Sequence, residues 1–143
     1  MPKPEPYLLD PASYPMHTEI GLRYSDLDVN RHLNNVKLID ILQDGRGYLH
    51  RASGMAEATA DFTIVVANLN VQFLGEGFYG DPIVCHTGLR AIGNSSQTIV
   101  QLATQAGRPV AYAETIMVTM LDGKAAAHPQ HYREQMEPWL IRR

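Results

Sequence analysis

The hydrophobic positions change period twice along the chain. From His17 to Tyr24 they alternate, with Thr18, Ile20, Leu22 and Tyr24 on one side and His17, Glu19, Gly21 and Arg23 on the other, which predicts a half-buried strand. The alternation runs into a polar block, "SDLDVNRHLNN". Beyond it Val36, Leu38, Ile39, Ile41, Leu42, Gly45 and Leu49 leave only Lys37, Asp40, Asp44 and Arg51 as a polar stripe. That spacing predicts a largely buried helix from about Asn35 to His50. Gly45 and Gly47 each weaken a helix by about 1 kcal/mol relative to Ala, so their presence in "QDGRGYL" predicts close packing against that turn.

"RASGMAEATAD" reads as a small-residue connection with a short helix, placed to shape a pocket rim. The period then becomes two: Val65, Ala67, Leu69, Val71 and Phe73 face one way, and Val66, Asn68, Asn70 and Gln72 the other. Turn residues in "GEGFYGDP", "GNSS" and "AGRP" separate three further strands, Ile83 to Ile92, Gln97 to about Gln105, and Val110 to Leu121. One strand, one buried helix and about four antiparallel strands give an α+β fold with the helix on one face of a five-stranded sheet that curls around it. The prolines at 2, 4, 6, 11 and 15 predict an extended N-terminal arm over residues 1–15, and "AAAHPQHYREQMEPWLI" a C-terminal tail or short helix over about 125–143.

At 143 residues, with 45% hydrophobic and 19% charged positions, the chain suits one globular domain. Its formal charge of -3 shows no basic face for nucleic acid, and no run approaches the length of a membrane span, so neither is an expected partner. Cys85 is the single cysteine, which excludes an intramolecular disulfide and a multi-cysteine zinc site. It alternates with Ile83, Thr87 and Leu89 and reads as a small core residue. A cytoplasmic location and no cofactor are expected.

The chemistry concentrates in the polar block, at a strand's end and a helix's start, where free N–H groups and the helix dipole favour developing negative charge. Asp28, Asn30 and His32 are two residues apart, so in an extended or looping segment their side chains can point to one side, offering a carboxylate, an amide and an imidazole together. Asp26 reads as a turn or capping residue, and Asn34 and Asn35 as N-cap candidates. An Asp-x-Asp metal site at Asp26 and Asp28 lacks accompanying ligands in sequence.

"RYSDLDVNRHLNNVKLI" resembles the signature of hotdog-fold acyl thioesterases, above all the "DLDVN-x-H-x-NNVK" segment of plant acyl-carrier-protein thioesterases. More loosely the likeness runs from about His17 to Leu121. It takes in "LRAIGNSSQTIVQL", similar to a turn of bacterial 4-hydroxybenzoyl-CoA and acyl-CoA thioesterases. The resemblance implies a homodimer or homotetramer with an acyl pocket at the dimer interface. Asp28 would be the catalytic carboxylate, as base or nucleophile, and Asn30 and His32 would position water and substrate. The backbone N–H near Asn35 would bind the thioester oxygen, and Glu76 would match an acidic residue across an alignment gap.

Two positions depart from the pattern. Leu38 stands where a tyrosine is common, and Gly77 where the plant-type pattern has a cysteine, so a Cys-His nucleophile pair is ruled out there. Arg90, Arg108 and Lys124 are the candidates for CoA phosphates, while His17, His50, His86, His128 and His131 carry no motif. The expected activity is hydrolysis of a fatty or aromatic acyl-CoA, with acyl-ACP as the alternative carrier. A non-catalytic acyl-thioester module or a hotdog dehydratase would have little use for an intact "DLDVNRHLNN".

Overall fold

The computed structural model describes residues 2–143. One strand, β1 (Met16–Ile20), precedes the long helix α1 (Asn35–Ala52), and a one-turn helix, α2 (Met55–Ala58), follows it. Then come β2 (Thr63–Phe73), β3 (Ile83–Ile92), β4 (Ser96–Gln105), β5 (Arg108–Leu121), the two-residue β6 (Lys124–Ala125) and the short helix α3 (Tyr132–Met136). Five strands form one antiparallel sheet in the order β1-β3-β4-β5-β2, with β6 on β5, and α1 packs on one face. This is the arrangement the resemblance implied.

α1 forms where a cap meets an apolar stripe. The Asn34 side chain accepts the Val36 N–H at 2.8 Å, and Leu38, Ile41, Leu42, Gly45 and Leu49 are buried against the sheet. The close approach inferred from Gly45 is present: a Cβ there would stand 2.8 Å from Gln101 Nε2 and 3.1 Å from Cys85 Cβ. Gly47 is different, since it faces open space. Val36, expected in the buried stripe, is 61% exposed in the first turn of α1. Cys85 is fully buried as expected, and burial pushes its thiol up to about 12.

Three further expectations change. β1 ends at Ile20, and Tyr24–Asp26 is a 3-10 turn closed by the Asp26 carboxylate on the Arg23 N–H at 2.8 Å. β2 carries a bulge between Val66 and Asn68, which reverses the alternation upstream. Val71 thus packs into the core from one side of the bulge and Ile64 from the other, rather than Val65 and Val71 together. The N-terminal segment is not an extended arm: it makes 3-10 turns at Pro6–Leu9 and Pro11–Ser13. Leu8 and Tyr14 are buried against Val100, Leu102 and Tyr112 on the sheet face opposite α1.

Candidate active site

The polar block folds as a tight loop between the 3-10 turn and α1. Leu27 bridges Leu33, and the Asp26 carbonyl accepts the Asn34 N–H at 2.8 Å, so both ends of the loop are pinned at the helix start. Asp28 closes the tip. Its N–H donates to the His32 carbonyl at 2.8 Å, its carbonyl accepts the Arg31 N–H at 3.0 Å, and Arg31 takes a left-handed φ of 63°. Its Oδ1 accepts the N–H groups of Asn30 at 2.8 Å and His32 at 3.1 Å.

Of the two forms open to the segment, extended or looping, it takes the loop, with a turn at residues 28–31. Asp28 Oδ1 faces backbone N–H groups, Asn30 is exposed, and His32 turns to Glu76. His32 Nε2 lies 3.0 Å from Glu76 Oε2, and the imidazole packs edge-on against Phe78. Among the described residues Asp28 Oδ2 has no hydrogen-bond partner. Asn35 is the first residue of α1, so its N–H has no acceptor within the helix.

The segment bearing Glu76 is held by contacts that sequence reading missed. Leu33 donates its N–H to the Gly77 carbonyl at 2.7 Å, and a Cβ on Gly77 would stand 3.0 Å from Leu33 Cβ. A side chain at position 77 would press on Leu33. Gln105 of β4, buried, accepts the Phe78 N–H at 2.8 Å and donates to the carbonyls of Phe78 at 2.6 Å and Asp81 at 2.8 Å. Two more glutamines on the same face of β4 act likewise. Gln101 donates to the Leu42 carbonyl at 2.8 Å, and Gln97 accepts the Tyr132 hydroxyl at 2.7 Å.

Of the candidate phosphate contacts, Arg90 is already paired with Glu114 and Glu5, Lys124 is exposed on β6, and Arg108 stacks over Phe78 beside the site, 5.7 Å from the ring centre. His86, read as carrying no motif, is buried, with Nε2 2.9 Å from Thr104 Oγ1 and Nδ1 2.7 Å from His17 Nδ1. Burial first, and the neighbouring His17 second, lower its pKa to about 4.

A cleft of about 510 Å³ lies farther along α1, between its second half, α2 and β2, lined among others by Arg46, Met55, Phe62, Ile64, Ile99 and Met117. It includes the predicted rim segment but none of the polar loop. Among the described residues no group of three or more His, Cys, Asp or Glu could hold a metal ion. Nor, among those residues, is any helix long and apolar enough to cross a membrane.

The sequence profile of the thioesterase-like superfamily matches residues 22–136. The long-chain acyl-CoA thioesterase FadM of Escherichia coli (strain K12) is 27% identical over 128 residues, covering 85% of this chain and 97% of FadM. The crystal structure of YbaW, a probable thioesterase from Escherichia coli, superposes with a TM-score of 0.78 at 26% identity, covering 87% of this chain and 98% of that one. A Thermus thermophilus thioesterase solved with coenzyme A and Zn gives a TM-score of 0.77 at 24% identity, over 87% of this chain and 92% of that one.

Proposed function

This chain belongs to the thioesterase-like superfamily and has its hotdog fold, and from that premise we propose that it is a thioester hydrolase acting on an acyl-CoA, with Asp28 as general base. The observation that carries this reading is the anchoring of Asp28 at the tip of the loop that leads into α1. Two N–H groups hold Oδ1, which leaves Oδ2 without a protein partner and able to take a proton from water. The water oxygen attacks the thioester carbon, and the Asn35 N–H, aided by the dipole of α1, stabilises the oxyanion. Collapse of the tetrahedral intermediate breaks the C–S bond, and the thiolate leaves to be protonated. His32, held by Glu76, and Asn30 orient water and carbonyl.

The likeness to FadM, a long-chain acyl-CoA thioesterase, makes a long acyl-CoA the first to try, ahead of acyl-ACP. We place the enzyme in the cytoplasm as a single domain and assign it no cofactor.

We further propose that it works as a homodimer, or a tetramer built from two such dimers, formed through β2. Among the described residues that strand pairs only with β5, and it leaves Val65, Val66, Leu69 and Phe73 substantially exposed along a free edge. Such an edge invites a second strand. A partner there would complete the acyl pocket. The test is thiol release from short, medium, long and aromatic acyl-CoAs, with wild type and Asp28→Asn side by side. Asn keeps an Oδ1 acceptor for both N–H groups, so folding is preserved while the base is lost. Activity should fall by at least about 10²-fold. Full activity in Asp28→Asn removes Asp28 from the chemistry, and no cleavage of any acyl-CoA or acyl-ACP ends the hydrolase reading.

A further inference from the structure

Arg46 is buried on α1 between Leu42 and Leu49, both fully buried, and is itself only 8% exposed. A guanidinium has five N–H donors and stays charged in proteins. Among the described residues it meets one acceptor, the neutral amide oxygen of Gln101 at 3.4 Å from Nη1, and no carboxylate lies within 4 Å. The Gln101 amide is itself fixed, its Nε2 donating to the Leu42 carbonyl. A buried charge without a counter-charge is strongly unfavourable, and long cations usually avoid it by extending the head into water. Arg46 does not do so. Burial works against its charge, yet it lines the 510 Å³ cleft, whose other walls include Met55, Phe62, Ile64, Val66, Ile99 and Met117.

Thr115 does not itself line the cleft, but it pairs with Ile99 of β4 and stands two residues before Met117 on the same face of β5, both of them cleft residues, and among the described residues its buried hydroxyl has no partner. Apolar walls of this extent with one unpaired cation describe a site for a ligand that is an alkyl chain ending in an anion.

We propose that this cleft binds an aliphatic carboxylate, with the chain against the apolar walls and the carboxylate on Arg46. Two sources share that chemistry: the free fatty acid, and the distal carboxylate of an ω-carboxyacyl thioester. The second source rests on the thioesterase reading above and agrees with the spacing. Arg46 follows Asn35 by 11 residues, about 16 Å along the helix, which an extended chain of roughly 13 bonds would span.

The test separates binding from catalysis. Calorimetric titration of the full chain with dodecanoate and with dodecan-1-ol should show the acid binding at least about tenfold more tightly in wild type. In Arg46→Met, with its fold checked by circular dichroism, the two ligands should bind within about twofold of each other. Equal binding of acid and alcohol by wild type, binding of neither, or a preference that survives Arg46→Met overturns the proposal. The wild-type comparison decides the matter even if Arg46→Met does not fold, and it needs no hydrolysis, so failure of the thioesterase reading leaves it intact. Hydrolysis of dodecanedioyl-CoA ahead of dodecanoyl-CoA assigns the site to an ω-carboxyacyl substrate. The reverse order, with dodecanoate inhibiting competitively, assigns it to the released acid.

Discussion

Replacing Gln105 by Met tests whether one buried amide holds the segment that presents Glu76. Met keeps the volume and removes every hydrogen bond. Three are lost, to the Phe78 N–H and to the carbonyls of Phe78 and Asp81, all at 2.6 to 2.8 Å. Phe78 itself is 44% exposed, so water can reach some of the abandoned groups, and each bond contributes about 0.5–1.5 kcal/mol rather than a full burial penalty. The sum is about 2–4 kcal/mol, or a fall in Tm of roughly 6–15 °C for a chain of this length. Urea denaturation followed by circular dichroism measures it, with the slope against denaturant checked for constancy. A loss below about 0.5 kcal/mol would refute the reasoning and leave the Leu33 to Gly77 bond as the main restraint on that segment.

Gly45 and Gly47, on different faces of α1, should respond to substitution with opposite signs. Gly45→Ala should destabilise by about 1–3 kcal/mol, because its Cβ meets the tethered Gln101 amide. Gly47→Ala should stabilise by up to about 1 kcal/mol through helix propensity, since nothing lies in its way; the same denaturation assay reads both. The His86 shift sets a pH dependence: its pKa falls from 6.5 unfolded to about 4 folded, so its contribution is complete above about 6.5 and is lost as pH falls toward 4. Between pH 7.5 and 4.5 wild type should lose about 2–3 kcal/mol more than His86→Gln, and parallel losses would show that His86 does not carry the slope.

The alternating strands and the buried helix could be read from the sequence because their periods are set by geometry that every residue obeys. Gly45 could be read too, as a residue whose helix penalty needs a reason. The bulge in β2 could not, because Ile64, Val65 and Val66 are consecutive apolar residues and fit either register. Burial of Arg46 was hidden for a similar reason: a charged residue in a helix reads as solvated, and only the third dimension reveals the cleft it lines. Asp28 was singled out through its motif, but the turn that holds it is made by hydrogen bonds and leaves no periodic signal, and the 3.0 Å approach of His32 to Glu76 was no more legible.

The three glutamines of β4, at positions 97, 101 and 105, have a common consequence. Each ties a different piece to the sheet: the C-terminal helix, the central helix and the loop bearing Glu76. Amides neither titrate nor respond to ionic screening, unlike the ion pairs of Arg90 at the surface. The spacing of these three pieces is therefore set by a neutral spine. Acid or salt can alter the charges around the site while its frame keeps the same dimensions.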